Sequence, residues 1–313
     1  MDLPHRQQDQ QRDQQYDQQY DPQYGQQYDP QYDQPHDQPS GAPPGGPYGW
    51  MYDSHVHLSD PEFAPVIGGM LRCMSRTRVM SCCVSTDAAS SARTLALARS
   101  SPLVIPFVGV HPDSAAEGPD GALEIAADPL VAGIGEVGLD PAYPRDGQLA
   151  TFRAMLEAAA RLDVPVSVHS RNSLDEVLDV AASYGVRVLL HWFDGSRRQL
   201  ARAMELGMYV SYGPASVRAA GRMSTARRAD PGLILAETDG PVRFRGCFGG
   251  RPGGPHLVPS VIAGLAGALG RGFADAAALL GRNTRRYLGA RYNTPPPATP
   301  RSEQDPPALG RGA

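Results

Sequence analysis

The stretch Tyr52-Asp53-Ser54-His55-Val56-His57-Leu58 follows an apolar start at residues 50–52 and predicts the first strand of the fold. In an extended strand, side chains two residues apart point to the same side, so the two histidines project together. Two imidazoles in this arrangement can hold one metal ion, for which histidine is a common ligand. The alternative is a surface strand that happens to carry two histidines. The rest of the chain has to distinguish between a metal site and such a strand.

Apolar runs that predict strands alternate along the chain with runs that predict helices. The predicted strands are residues 51–57, 79–85, 103–110, 130–137, 164–169, 186–191, 208–211 and 233–238. The predicted helices are residues 63–77, 88–99, 148–162, 173–184, 197–206, 259–269, 274–280 and 284–288. Eight such units over about 240 residues fit an α/β fold, the (β/α)8 or TIM barrel, whose typical length is ~250 residues. The strands are apolar nearly throughout, as buried parallel strands should be, although an open doubly wound sheet shares this pattern.

Polar side chains stand at or near the ends of these predicted strands. The candidate metal ligands there are His55, His57, Glu136, His169, His191 and Asp239. In a barrel, the carboxyl ends of all strands meet on one face, where active sites form, and this placement favours the barrel over the open sheet. Four imidazoles and two carboxylates are enough for two divalent metal ions. Glu136 is able to bridge the two ions because a carboxylate offers two oxygens.

Three further polar residues lie near this predicted rim, and each has two interpretations. Asp53 could bind a metal ion, or it could orient a neighbouring histidine through a hydrogen bond. His111, after the third strand, could contact the substrate or stabilise the turn that follows. Arg171, two residues past the end of the fifth strand, could hold a substrate phosphate through its guanidinium fork or form a surface ion pair.

Residues 133–138, Gly-Ile-Gly-Glu-Val-Gly, match the pattern G-x-G-x-x-G of dinucleotide-binding folds. That function requires a helix that begins at the same turn. Residues 139–144, Leu-Asp-Pro-Ala-Tyr-Pro, cannot open such a helix. The glycines therefore indicate close packing of the backbone beside Glu136 rather than nucleotide binding.

The composition limits both the chemistry and the compartment. All 29 basic residues counted as Lys+Arg are arginine, which excludes Schiff-base chemistry, a lysine-anchored phosphate loop and a carbamylated-lysine metal bridge. Four cysteines without a C-x-x-C pair, no apolar run as long as a membrane span and no signal segment predict a reducing, cytoplasmic location. The first 50 residues hold eight aspartates and two arginines, a balance of −6, whereas the whole chain has a net charge of −4. The nearly neutral middle would hold a polyanion only locally, by metal and a few arginines.

The two ends of the chain differ from its middle. Residues 1–47 repeat a four-residue unit that ends in tyrosine, such as Asp13-Gln14-Gln15-Tyr16, and contain almost no aliphatic residues. Such a segment is predicted to be disordered. It could associate weakly with other copies through its tyrosines and glutamines, or remain a solvated tail without a role in catalysis. The Pro-rich residues 293–313 predict a second disordered tail, which leaves residues 48–292 as the barrel domain.

Together these motifs resemble the TatD family of metal-dependent deoxyribonucleases, in the order in which that family has them. The matching segments are residues 53–58, 109–112, 135–140, 169–171, 191–196, 237–241 and 283–288. The resemblance covers about residues 51–290 and implies a barrel of the metal-dependent hydrolase type with two divalent ions. It also implies the distribution of the ligands: His55 and His57 on one ion, His169 and His191 on the other, Glu136 bridging and Asp239 as a further ligand.

Some positions depart from the family pattern. Asp113 stands where the family commonly has another histidine, Trp192 stands in place of its cysteine, and Asp194 in place of its usual serine. The glycine-rich residues 243–255 lack the charged run that helps to shape the substrate site in the family. These departures leave the predicted metal centre intact but leave the substrate open.

The ligand set supports three hypotheses about function. Two divalent ions, Zn, Mg or Mn, would activate water, with Glu136 as the bridge and Asp239 as a general base. The first hypothesis is a deoxyribonuclease that cleaves DNA phosphodiester bonds, in single strands or at ends. The second is a hydrolase of a small amide, lactone or ester. The third is a scaffold without catalysis whose tyrosine-rich tail acts alone, and the complete ligand set argues against it.

Overall fold

The computed structural model describes residues 49–218, 220–244, 250–290 and 292. Eight parallel strands lie in one sheet in the order in which they occur along the chain. They are β1 (Met51–Val56), β2 (Val79–Cys83), β3 (Val104–Val108), β4 (Gly133–Gly138), β5 (Val166–His169), β6 (Val188–Leu190), β7 (Tyr209–Tyr212) and β8 (Ile234–Ala236). The predicted (β/α)8 barrel is confirmed. The tails predicted at residues 1–47 and 293–313 lie outside the described residues.

Helices connect most of the strands and complete the βα units. The α-helices are α1 (Ile67–Thr77), α2 (Ala88–Ser100), α3 (Asp120–Ala126), α4 (Gln148–Leu162), α5 (Leu174–Ala181), α6 (Arg197–Glu205), α7 (Pro214–Arg218), α8 (Ala220–Ala226), α9 (Val258–Ala268) and α10 (Phe273–Leu288). Short 3-10 turns lie at Pro61–Phe63, Pro112–Glu117, Pro231–Leu233 and Pro255–Leu257. Each of these turns begins with proline, whose fixed φ suits a first helical position. Helices α3, α7 and α8 are additional to the prediction.

The predicted break in the last helix is wrong, because α10 is continuous. Gly281 faces the chain before β1, where a Cβ atom would lie 3.1 Å from the Trp50 carbonyl oxygen. The side-chain amide of Asn283 donates hydrogen bonds to the carbonyl oxygens of Pro231 (2.7 Å) and Ile234 (2.9 Å). Glycine and asparagine often mark the end of a helix, but here Gly281 and Asn283 lie inside α10 and pack it against β1 and β8.

Backbone hydrogen bonds join β1 to the segment that follows β8 and so close the barrel. The Asp239 N–H donates to the His55 carbonyl oxygen (2.9 Å), and the His57 N–H donates to the Gly240 carbonyl oxygen (2.9 Å). This closure excludes the open doubly wound sheet. It also places the first and the last candidate ligands of the chain side by side.

The strands of the barrel are buried on both faces, as their apolar sequences predict. Every residue of β1 to β4 is buried. Apolar side chains form two core clusters, a first one that includes Phe152 and Tyr212 and a second one that includes Phe63, Phe107 and Tyr287. Burial of one such large side chain stabilises the fold by roughly 1.5–3 kcal/mol. The stability of the barrel therefore rests on apolar layers rather than on the polar rim.

Among the described residues, no single helix is both long and apolar enough to cross a membrane. The segments Pro255–Leu269 and Phe273–Leu288 meet that test only as a pair, with a bend of 104° between them. Both segments contribute buried side chains to the first core cluster, such as Leu265 and Leu280.

Glycines allow β4 to approach β5 closely. Gly135 and Gly138 both have φ of 151°, a conformation that side chains with a Cβ atom rarely adopt. A Cβ atom on Gly138 would lie 2.0 Å from the His169 carbonyl oxygen, and one on Gly135 would lie 2.9 Å from the Ser167 Cβ atom. No helix begins at this motif, since α4 starts only at residue 148. The motif therefore serves close packing, as predicted, and not nucleotide binding.

Candidate metal centre

The carboxylate of Glu136 lies at the centre of the candidate ligands, between two pairs of histidines. Its Oε2 is 3.5 Å from His55 Nε2 and 3.3 Å from His57 Nε2. Its Oε1 is 2.8 Å from His169 Nδ1 and 2.7 Å from His191 Nε2. These side chains come from β1, β4, β5 and β6 at or near the strand ends. The parallel barrel therefore brings together residues that are far apart in the sequence.

Asp239 completes a group of four ligand atoms on the β1 side. Its Oδ1 is 3.5 Å from His55 Nε2 and 3.4 Å from His57 Nε2. Ligand atoms 2.0–2.2 Å from one tetrahedral ion are roughly 3.3–3.6 Å apart, and the observed spacings match this value. His55 Nε2 is buried and has no hydrogen-bond partner in the described part of the chain. Both observations fit a divalent ion between these side chains, and all six predicted ligands lie together.

The β5 side of the centre is arranged differently. His169 and His191 both lie at hydrogen-bond distance from Glu136 Oε1, closer than the roughly 3.3 Å expected for two ligands of one ion. His111, which the sequence predicts only as a substrate contact or a turn residue, has its Nε2 3.8 Å from the same oxygen. The ligand atoms of His111, Glu136 and His169 lie close enough to hold an ion. The structure thus adds His111 to the candidate ligands.

Two buried residues fix the orientation of histidines in the centre. His55 Nδ1 is 2.8 Å from Ser167 Oγ, and His169 Nε2 is 2.8 Å from Asp140 Oδ2. A proton donated to such a partner leaves the other ring nitrogen with a lone pair for a metal ion. Hydrogen bonding therefore prepares His55 Nε2 and His169 Nδ1, the two atoms that face Glu136, for metal binding.

Replacing Ser167 by alanine should weaken metal binding about 10- to 100-fold, the usual effect of losing such a partner. The change leaves His55 Nδ1 without an acceptor at a site where both side chains are fully buried. Competition with a chromogenic chelator measures the affinity directly. Ser81→Ala is the matched control, because the buried Ser81 hydroxyl has no hydrogen-bond partner among the residues that the structure describes. Equal affinities of the two variants would contradict a role for Ser167 in orienting the imidazole.

The two predicted substrate-binding residues lie on the β5 side of the centre. Arg171 donates from Nε to Asp140 Oδ2 (2.8 Å), and its guanidinium carbon is 5.7 Å from the centroid of the Tyr143 ring. The carboxylate of Asp140 is fully buried, so this hydrogen bond ties the guanidinium group to the interior of the site. His111 caps the 3-10 turn Pro112–Glu117, with its Nδ1 2.9 Å from Asp113 Oδ1 and 3.3 Å from the Asp113 backbone nitrogen. His111 therefore also has the turn-stabilising role of its alternative interpretation.

Burial and neighbouring charges together determine the ionisation of the central residues. Burial lowers the pKa of His55 to about 4, and the nearby His191 adds to this effect. Burial also opposes a charge on His169, but hydrogen bonds to Asp140 and Glu136 raise its pKa to about 9, so a metal ion would have to displace the proton from Nδ1. Burial would raise the pKa of Glu136, yet the surrounding imidazoles hold it well below its usual range. An anionic carboxylate among histidines is a donor set that suits zinc and similar divalent ions.

The sequence model of one family, described as TatD related DNase, matches residues 52–289 of the chain. The chain belongs to this family. The match begins in β1 and ends just after α10, so it includes all the candidate ligands and every βα unit of the barrel. The family resemblance of the sequence motifs is thereby confirmed, and the chain is a metal-dependent hydrolase of the TatD type.

Relatives of this TatD chain come from bacteria and animals. The 3'-5' ssDNA/RNA exonuclease TatD of Salmonella typhimurium is 31% identical over 172 residues, which are 51% of this chain and 66% of that protein. The deoxyribonuclease TATDN3 of Homo sapiens is 28% identical over 214 residues, 61% of this chain and 78% of that protein. YjjV, a TatD homologue from Escherichia coli with a known crystal structure, is 27% identical in sequence, and its structure matches this one with a TM-score of 0.68. The match covers 76% of this chain and 97% of the YjjV chain.

Three polar residues of this TatD centre have no role predicted from the sequence. They are Asp140, Ser167 and Glu237. Glu237 accepts hydrogen bonds from the Ser211 hydroxyl (2.6 Å) and from the Trp192 N–H (2.7 Å), and burial raises its pKa to about 7. Its ligand atoms lie close enough to those of His55 and His191 to form a third candidate group. The sequence does mark Ser167 and Glu237 as polar residues inside apolar strand runs, and this pattern could have indicated that they take part in the site.

Proposed function

We propose that this TatD chain is a deoxyribonuclease that hydrolyses phosphodiester bonds of DNA with two divalent metal ions. The main support is the position of Glu136, which directs one carboxylate oxygen to each pair of histidines. Zn, Mg and Mn are the candidate ions, because imidazoles suit zinc while nucleases often use magnesium or manganese. The names of the human and Salmonella relatives point to the same class of substrate.

Two groups of ligands would hold the two ions. The first group is His55, His57, Glu136 and Asp239, and the second is Glu136, His169 and His191, with His111 as a further candidate. Ions bound there would lower the pKa of water and offset negative charge on the substrate phosphate. The observed ligand spacing on the β1 side supports the first group more directly than the second.

Side chains of this chain would supply the proton transfer and the substrate contacts. Burial alone would raise the pKa of Asp239, but the hydrogen bond from His57 and the electrostatic influence of the surrounding histidines lower it. Asp239 is therefore a carboxylate at neutral pH and can accept a proton from the attacking water as general base. Arg171, which Asp140 holds at the rim, would bind a phosphate oxygen through its guanidinium group.

A nuclease assay with added metals tests this proposal. The purified chain is loaded with Mg, Mn or Zn and incubated with single-stranded and double-stranded oligonucleotides, while metal analysis measures the number of bound ions. We expect release of nucleotides that a chelator abolishes, and two ions per chain. Small amides, lactones and esters are assayed in parallel as the alternative class of substrate. Hydrolysis of these compounds together with no cleavage of DNA would overturn the proposal.

Deletion of residues 1–47 should leave the turnover of a small phosphodiester nearly unchanged. This segment contains no candidate ligand and almost no aliphatic residue with which to contribute to a core. We expect kcat/KM to remain within about tenfold of the full-length value, which corresponds to ~1.4 kcal/mol of barrier. The measurement compares both chains at equal metal loading. A larger loss would show that the segment takes part in catalysis.

Two further proposals concern the compartment and the association of the chain. We propose a reducing, cytoplasmic location, supported by Cys73, Cys82 and Cys83, which are free thiols in the structure. We also propose weak self-association through the tyrosine-rich residues 1–47. Light scattering of the full-length and the shortened chains over a range of concentrations tests the second proposal. Equal masses at all concentrations would exclude it.

A further inference from the structure

An aromatic pair stands on the rim beside the candidate metal centre. Trp192 directly follows the candidate ligand His191, and consecutive Cα atoms are about 3.8 Å apart. Its ring lies nearly parallel to that of Phe244, with 6.0 Å between the centroids and 19° between the planes. Trp192 is half-buried, whereas Phe244 is buried. The indole is therefore supported on one side and partly open to solvent next to the reaction site.

This pair does not belong to the core of the barrel. Among the described residues, neither Trp192 nor Phe244 is a member of the two apolar core clusters. The other tryptophan of the chain, Trp50, packs against the second cluster. Filling the core therefore does not explain the large apolar ring at position 192.

Hydrogen bonding fixes the backbone of Trp192, and Phe244 supports its ring. Its N–H donates to Glu237 Oε1 (2.7 Å), and the other oxygen of Glu237 accepts a hydrogen bond from the Ser211 hydroxyl (2.6 Å). Its φ of 46° lies in the left-handed region, which residues other than glycine seldom occupy. Phe244 is fixed in turn by Gly253, where a Cβ atom would lie 2.5 Å from the phenyl ring. An indole held in this way is a rigid surface for a flat ligand.

We propose that Trp192, backed by Phe244, stacks on a nucleobase next to the phosphodiester bond that is cleaved. This assignment rests on the proposed deoxyribonuclease function and deepens it. Stacking on an aromatic side chain accepts every base, because every base has a π-face, and it requires a base that is not stacked within a duplex. The site would therefore take single-stranded or frayed DNA of any sequence and discriminate against a nucleotide that has lost its base.

Abasic oligonucleotides test this stacking. Matched single-stranded substrates carry one abasic sugar at each position near the cleaved bond. We expect the wild-type chain to cleave the intact strand with a kcat/KM about 5- to 150-fold higher than the best-placed abasic strand, the usual contribution of one stacked base. Trp192→Ala should lose this preference and cleave the intact and the abasic strands with similar kcat/KM, while Trp192→Phe should retain most of the preference. An unchanged preference in Trp192→Ala would overturn the proposal.

Fluorescence gives a readout that does not depend on turnover. The chain has two tryptophans, so Trp50→Phe leaves Trp192 as the single emitting indole. The intact strand should quench its emission, and the abasic strand should leave it unchanged. If no strand is hydrolysed under any metal condition, the proposed function fails, and quenching alone then decides the stacking. Absence of quenching at concentrations that saturate binding would show that Trp192 does not contact a base.

Discussion

Glu136→Gln should lower turnover by about 10³-fold or more, or ~4 kcal/mol of barrier, because it removes the carboxylate that the two ions would share. Glutamine keeps the size of the side chain but offers one neutral oxygen and an amide N–H group in place of two anionic oxygens. In the structure, one Glu136 oxygen faces His55 and His57 while the other faces His169 and His191. In either orientation of the glutamine amide, its NH2 group faces one of the two histidine pairs. The metal ion at that pair would then lose an anionic oxygen ligand.

The fold should survive this change. The barrel is stabilised by its buried apolar layers, and Glu136 stands at the rim. Metal stoichiometry, melting temperature and hydrolysis rate are measured on the same preparation. Glu157→Gln is the matched control, because this glutamate is exposed on α4 and is not among the candidate ligands. If Glu136→Gln kept two ions and near-normal turnover, the bridging role and the two-metal proposal would have to be abandoned.

The barrel itself could be predicted because its strands are short apolar runs that end in polar residues on one face. Where the prediction was wrong, the deciding contacts were distant in sequence. Gly281 and Asn283 are residue types that signal loops and turns. In the structure, Gly281 allows α10 to approach Trp50, and the Asn283 side chain donates a hydrogen bond to the carbonyl oxygen of Ile234. Both residues therefore lie inside a continuous helix. Local signals of this kind carry no information about a partner more than 40 residues away.

The same distinction applies to the candidate site. The six predicted ligands are strong donors at strand ends, and each could be recognised by itself. Ser167 stands out in the sequence only as a polar residue inside an apolar run, and its role could not be assigned because it depends on His55, which is 112 residues away. Glu237 likewise acts through Ser211 on the neighbouring strand. His111 could be placed on the rim, but its approach to the central carboxylate depends on how the strands pack.

Asp53→Ala should cost roughly 2–4 kcal/mol of the free energy of unfolding, the largest stability effect that we expect, because it leaves three buried donors without this acceptor. Asp53 is fully buried in β1 and accepts hydrogen bonds from the backbone N–H groups of His55 (3.3 Å) and Thr238 (2.9 Å) and from the Thr238 hydroxyl. Thr238 is also fully buried and lies at the seam where β8 meets β1. Alanine offers no acceptor to any of these groups, at a site where the wild-type side chain has no contact with solvent.

Asp53→Asn is the control that separates the hydrogen bonds from the charge. Burial raises the pKa of Asp53 well above its usual range, so an uncharged group of the same shape suits the site. Asparagine keeps one acceptor oxygen, and we expect it to cost less than about 1 kcal/mol of the free energy of unfolding.

For a domain of this size, the alanine variant should melt about 5–15 °C below the wild-type chain. It should also bind metal more weakly, because Thr238 precedes Asp239 and the same seam holds His55. An alanine variant with wild-type melting temperature and metal affinity would show that the hydrogen bonds between Asp53 and Thr238 neither stabilise the barrel nor position the ligands.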